Sequence, residues 1–194
     1  MKGTAGGKQS EAGSIHSTAA FGGIPVAEAQ CRRDGGVMMM RIGHGYDAHS
    51  FTEGRPLILG GVTIPFDKGL AAHSDGDAVI HALCDALLGA AGLGDMGAYF
   101  PDTDAKFKNK NSREFLHEVS ALIGKQNLAV VNIDITILAQ APKMAPHIAT
   151  MKKNISEDLK TDINNINIKA TTTEGMGFIG RGEGLSVHAV TLLD

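Results

Sequence analysis

The sequence predicts an α+β fold for residues 40–194, a single domain in which helices cover one face of a mixed β-sheet. Three observations carry that expectation. Strand-like stretches stand at both ends of the region, helix-periodic stretches stand between them, and the two kinds do not alternate strictly as they would around a doubly wound parallel sheet. Residues 1–39 differ: they are rich in Gly, Ala and Ser, follow neither period, and end in the run Val37, Met38, Met39 before Met40. They read as a disordered extension without chemistry, left by an upstream start or by cloning. Glu11, Glu28 and Asp34 beside Arg32 and Arg33 argue against an organellar targeting peptide, which would be poor in acids.

The elements follow in order. Residues 41–47 form a first strand, and 57–60 with 62–65 a hairpin hinged at Gly60 and Gly61. Residues 77–92 read as a helix, because Val79, Ile80, Leu83, Leu87 and Leu88 recur at helical spacing. Asp77, His81 and Asp85 fall four apart on its opposite stripe, which faces either solvent or a site. Ser112 caps a second helix through about Lys125, with Phe115, Leu116, Val119, Leu122 and Ile123 on the buried side. Residues 130–139 alternate Ile with polar side chains and predict a strand. A third helix follows Pro142, carrying Met144, Ile148, Met151, Ile155 and Leu159, and strands at 166–172 and 185–193 complete the set.

Composition narrows the function classes. Eighteen basic residues against 21 acidic ones leave no basic footprint for nucleic acid, so any phosphate chemistry is local. The two cysteines, Cys31 and Cys84, have no ligand-like spacing and fit a reducing compartment. Without an apolar run of membrane-spanning length or a secretory core, a cytoplasmic protein with no membrane partner is expected.

The run Asp47, Ala48, His49 is the strongest chemical signal. In an extended stretch, positions two apart point the same way, so the carboxylate and the imidazole converge, and His81 on a helix supplies a third donor. Three N and O ligands with one open position make the pattern of a catalytic zinc site. By itself a D-x-H pair is weak, since such pairs arise by chance. Residues 169–184 add three threonine hydroxyls, five glycines that allow close backbone approach, and Glu174, a hard oxygen ligand suited to magnesium or manganese. Lys143, near the expected start of the third helix, adds positive charge for an anion. Phe100, Pro101, Asp102, Thr103 and Asp104 form a turn. The collection points to a phosphorylated substrate held between two metal ions.

Five ordered segments, RIGHGYDAH (41–49), LAAHSDGDAVIHALCDALLGA (70–90), LGDMGAYFPDTD (93–104), AQAPKM (139–144) and KATTTEGMGFIGRGEG (169–184), resemble the 2-C-methyl-D-erythritol 2,4-cyclodiphosphate synthases of the non-mevalonate isoprenoid pathway. The resemblance runs from Met40 to the C-terminus. It implies a homotrimer with sheets packed around the trimer axis, sites between neighbouring subunits, and a cytidine diphosphate derivative of methylerythritol 2-phosphate as substrate. The 2-phosphate attacks the β-phosphorus, closing a cyclic diphosphate and expelling CMP.

The same resemblance implies residue roles. Asp47, His49 and His81 hold zinc, Glu174 holds magnesium or manganese, and His73 and Thr172 stabilise the transition state. Asp47, His49 and His73 are also substrate positions, and Ser74, Asp95, Met96 and Gly97, with Phe100, Pro101, Asp102, Thr103 and Asp104, contact the methylerythritol phosphate. Ala139, Gln140, Ala141, Pro142, Lys143, Met144 and Ala145, with Thr171, Thr172 and Thr173, hold the cytidine diphosphate, and Glu174 is also a substrate position. Phe178 and Arg181 also belong to the substrate positions, and an apolar channel on the axis takes a prenyl diphosphate. Gly175 departs from the pattern, where many relatives carry a basic residue. Two rival classes are a metal-dependent phosphohydrolase, which would position a water and yield a linear product, and a non-catalytic prenyl diphosphate or nucleotide binder.

Overall fold

A computed structural model describes residues 1, 39–101, 103–107 and 110–194. The reading of residues 1–39 as an extension therefore lies outside the described residues except at Met1 and Met39, and Asp102 lies outside them too. Among the described residues, the regular elements all fall in the unit Val37–Asp194.

Strand β1 spans Arg41–Thr52, five residues beyond the expected end. Its polar second half has no alternation to announce a strand; it is held by pairing, with Ser50 opposite Gly184 and Phe51 opposite Leu70. Strands β2 (Leu57–Leu59) and β3 (Val62–Ile64) form the expected hairpin, with Gly60 and Gly61 at φ 58° and 68° as a two-residue turn of this hand requires. After the short β4 (Gly69–Leu70) comes helix α1 (Ala78–Ala91). Asp77 caps it, and this one buried carboxylate accepts from the backbone N–H groups of Val79, Ile80, Gly60 and Gly61, tying the hairpin to the helix start. Gly92 ends α1 in the left-handed conformation.

A four-residue helix, α2 (Met96–Tyr99), precedes α3 (Ser112–Lys125). The cap of α3 is Asn111, not Ser112: Asn111 Oδ1 accepts from Arg113 N–H at 3.0 Å. Asn and Ser cap equally well, so the sequence alone could not choose between adjacent candidates. Strand β5 (Val130–Leu138) leads to α4 (Ile148–Leu159), which begins later than expected because Pro146 disfavours helical backbone at the residue before it. Met144 thus lies in the preceding loop, though still buried, and Lys143 is five residues from the helix rather than at its start. Strand β6 (Ile166–Thr171), the short α5 (Gly177–Gly180) and strand β7 (Gly184–Leu193) follow.

The principal sheet has the order β4-β1-β7-β5-β6, antiparallel except for the parallel pair β5–β6. The predicted α+β architecture with a mixed sheet is what forms. One face, carrying Ile133, Ile135, Ile137, Ile166, Ile168, Val187 and Ala189, is buried in a core shared with α1, α3 and α4. The opposite face leaves Ile42 73% and Tyr46 48% exposed. No helix among the described residues is long and apolar enough to cross a membrane.

Two contacts fix the layers. A Cβ placed on Gly43 would lie 1.9 Å from the carbonyl oxygen of Ala86, and one on Gly45 1.9 Å from that of Ala82, so α1 rests on the bare backbone of β1. Between α3 and α4, Arg113 donates through Nε and Nη2 to both oxygens of Asp158 at 2.7 Å, while His117 Nε2 lies 2.7 Å from Oδ1. The Asp158 side chain is only 2% exposed. Arg113→Ala is expected to destabilise the fold by roughly 2–3 kcal/mol, less than the loss of a partner from a fully buried pair because His117 remains. Urea denaturation measures it, and an unchanged midpoint would refute it.

Candidate active site

The seam between β1 and α1 also builds the site. Gly43, Gly45, Asp47 and His49 lie on one side of β1, so the residues that follow the two close-approach glycines point toward the same helix. There His81 stands next to Ala82, the residue whose carbonyl faces Gly45. Asp47 Oδ2 lies 3.0 Å from His49 Nε2 and 3.3 Å from His81 Nδ1. A tetrahedral shell with bonds of about 2.0–2.1 Å places neighbouring ligand atoms roughly 3.3 Å apart, so these separations suit a shared cation. Among the described residues this is the one cluster of three or more such side chains able to hold a metal ion.

Hydrogen bonding supports the fit. His49 Nδ1 is 2.8 Å from the carbonyl oxygen of Ala71, which can only accept, so Nδ1 carries the proton and a neutral ring presents a bare Nε2 to Asp47. A bare nitrogen facing a carboxylate oxygen is repulsive until a cation lies between them. Burial favours the neutral form of Asp47, but the hydrogen bonds and positive charge of His49 and His81, when those rings are protonated, outweigh it and hold the carboxyl well below the usual range; a bound cation acts in the same sense. It is ionised at neutral pH.

The triad opens on a cleft of about 400 Å³. Of the sequence-predicted residues, Asp47, His73, Ser74, His81, Met96, Gly97, Phe100 and Pro101 line it. Arg55 donates to the carbonyls of Ala72 and Ser74 and so brackets His73. Asp95 caps α2 through Ala98 N–H, and Asp104 closes the next turn on Lys106 N–H and pairs with Lys106 Nζ at 3.0 Å. The polar stripe of α1 divides: His81 joins the triad, Asp85 lines the cleft, and Asp77 is wholly engaged in capping. Burial, with the nearby carboxylates of Asp95 and Asp47, raises the Asp85 pKa against a hydrogen bond from Met96 N–H. Asp85, Phe107 and Phe115 were not among the predicted site residues; the aromatic pair carries no chemical signal and forms an apolar wall.

A second groove of about 220 Å³ gathers Ala139, Gln140, Pro142, Lys143, Met144, Ala145, Thr171 and Thr172 where β5 and β6 end. Ala141 and Thr173 are their chain neighbours. Across the sheet Asp47 stands opposite Val187, Val187 opposite Ile137 and Ile137 opposite Ala170, so three strand spacings, roughly 14 Å, part the triad from this groove. Beyond Thr173 the chain turns at Glu174, which has φ 53° and accepts from the Thr172 hydroxyl at 2.9 Å. Phe178 is exposed, and Arg181 forms a two-point ion pair with Glu183 in its own chain, at 2.6 and 3.2 Å.

The YgbB family model matches residues 40–194. A protein of Methylococcus capsulatus named 2-C-methyl-D-erythritol 2,4-cyclodiphosphate synthase is 59% identical over 155 residues, covering 80% of this chain and 98% of its own length. Among solved structures, the bifunctional IspDF from Campylobacter jejuni aligns with a TM-score of 0.78 and 49% identity, over 80% of this chain and 42% of that longer one. A CDP complex of IspF from Plasmodium falciparum aligns with a TM-score of 0.71 and 38% identity, over 79% of this chain and 95% of its own.

Proposed function

This chain belongs to the YgbB family, whose relatives at this level of identity are 2-C-methyl-D-erythritol 2,4-cyclodiphosphate synthases, and from that membership we propose how its residues perform the reaction. The enzyme converts 4-diphosphocytidyl-2-C-methyl-D-erythritol 2-phosphate to the 2,4-cyclodiphosphate and CMP, within the non-mevalonate isoprenoid pathway. The observation that carries the mechanism is the convergence of Asp47, His49 and His81, of which Asp47 and His81 line the cleft.

The donor set of two imidazoles and one carboxylate fits zinc, which when bound supplies Lewis acidity to the β-phosphate through its open position. Glu174, an exposed carboxylate, would hold magnesium or manganese, which would neutralise charge on the substrate's phosphates. The chain's own residues do the rest. The cleft receives the methylerythritol 2-phosphate, with Ser74, Met96, Gly97 and Phe100 fixing its orientation and Phe107 and Phe115 keeping water from its rear. The groove of Gln140, Lys143 and Thr171 receives the cytidine diphosphate. His73 and Thr172 aim donors at charge that develops on the transferring phosphoryl group. No general base is needed, because both nucleophile and leaving group are phosphates, and positioning supplies most of the acceleration.

A homotrimer with sites between neighbouring subunits fits the monomer's geometry: the cleft and the groove stand apart in one chain, and the outer sheet face exposes Ile42, Tyr46 and Val190. The same axis is where a prenyl diphosphate would bind, with Arg181 as the phosphate ligand once Glu183 is displaced. The free, buried Cys84 fits a reducing cytoplasm. The catalytic unit is residues 40–194, and residues 1–39 take no part in it. Phosphorus NMR of the product, made with zinc-loaded protein and added magnesium, tests the function. A cyclic diphosphate and CMP are expected; a linear product would favour a phosphohydrolase.

A further inference from the structure

Asp75 and Ser112 belong to none of the assigned positions, yet they lie directly behind a metal ligand. We propose that they form a hydrogen-bonded relay that holds the His81 imidazole with its proton on Nε2 and a bare Nδ1 toward the metal centre. Both are positioning residues, and the inference rests on the reading of Asp47, His49 and His81 as that centre.

The argument follows the protons. The Ser112 hydroxyl donates to Asp75 Oδ1, and the Ser112 backbone N–H donates to Asp75 Oδ2 at 2.9 Å. Asp77 N–H donates to Oδ1 as well, at 3.2 Å. Asp75 accepts at both of its oxygens, so the single hydroxyl proton of Ser112 is committed to it. What Ser112 Oγ turns toward His81 Nε2, 2.9 Å away, is a lone pair. Nε2 must therefore donate, and a neutral ring is left with its lone pair on Nδ1, the atom 3.3 Å from Asp47 Oδ2.

Three further features agree. Ser74 Oγ accepts from Gly76 N–H and lies 3.2 Å from the same Nε2, offering a second acceptor in the same sense. Ser112 is fully buried at the first position of α3, where Asn111 already serves as cap, so its hydroxyl is not needed to start the helix. The carbonyl of Lys110 also accepts from Asp75 N–H at 3.2 Å, which fixes the carboxylate relative to α3. A partner of this kind behind a metal-bound histidine sets the tautomer and raises ligand basicity.

The test uses the full chain and two readouts, zinc affinity by competition with a chelator and the imidazole nitrogen shifts of His81 in zinc-free protein. Wild type is expected to bind one zinc per chain and to show the Nε2-protonated ring. Ser112→Ala should weaken zinc binding by about 10–100-fold and mix the two tautomers. Asp75→Asn keeps the shape, but its amide can donate to Ser112 Oγ and turn the hydroxyl proton onto Nε2, so it should weaken binding as well; it carries the test if Ser112→Ala does not fold. A folded variant of either kind with wild-type zinc affinity and an unchanged His81 tautomer would overturn the relay. A wild type that takes up no zinc while His81 keeps its Nε2-protonated form would instead strike the metal-centre reading and leave the relay standing.

Discussion

His81→Ala is expected to lose zinc and, with it, at least about 10²–10³ of the turnover rate, the scale of removing one preorganised stabilising group. The change takes away one of three donors and leaves Asp47 and His49, two ligands that cannot hold the ion in a fixed geometry. It leaves the helix intact, because alanine is a good helix former and the ring is only partly buried in the cleft wall. Glu174→Gln should do the opposite: zinc stays at full occupancy, while the response to added magnesium disappears, since a neutral amide is a poorer ligand for a hard cation. Metal analysis with single-turnover kinetics separates the two. Full zinc and wild-type turnover in His81→Ala, or zinc lost from Glu174→Gln, would refute the assignment.

Gly45→Ala is expected to be among the most damaging small substitutions in the fold, alongside Gly43→Ala on the same seam. The added carbon would lie 1.9 Å from the carbonyl oxygen of Ala82, and ordinary contact begins at 3.4 Å, so β1 and α1 must part by about 1.5 Å (3.4 minus 1.9). The obstructing atoms are backbone, so no side chain can rotate away. Overpacking of this kind destabilises by roughly 3 kcal/mol. The displacement also reaches the chemistry, since His81 adjoins Ala82 and Asp47 is the next residue on that side of β1, and a shift of about 1 Å in a catalytic group can cost on the order of 10² in rate. Gly89→Ala is the control, because nothing lies within 4 Å of its added carbon on the exposed side of α1. It should be neutral or stabilise by up to about 1 kcal/mol. Melting temperatures and zinc content of the two variants measure the contrast; equal stability would refute the seam as the source of the geometry.

The triad was legible in the sequence because its logic is local. Asp47 and His49 are two apart in a strand, and that period alone puts them on one side. His81 was visible as a polar residue breaking an apolar helix. What was not legible depends on partners far along the chain. The last five residues of β1 are a strand only because β7 and β4 pair with them. Asp75 and Ser112 meet across 37 positions, and neither belongs to a spacing that would announce it. The two four-residue helices are too short to show a period. Asp77 lay on a stripe that the sequence left facing either solvent or a site, and only the converging N–H groups of the hairpin and the helix start reveal it as a cap.

Arg41 at the start of β1 pairs with Leu193 at the end of β7, so the catalytic unit takes in its chain and releases it side by side. Asp47 lies six residues further along β1, about 20 Å from that point. A tether, a tag or a second enzyme joined at either end is thus anchored on the rim farthest from Asp47 and His49. Fusion at these ends is compatible with an open cleft, whereas an insertion among residues 142–145 would intrude on the groove that they line.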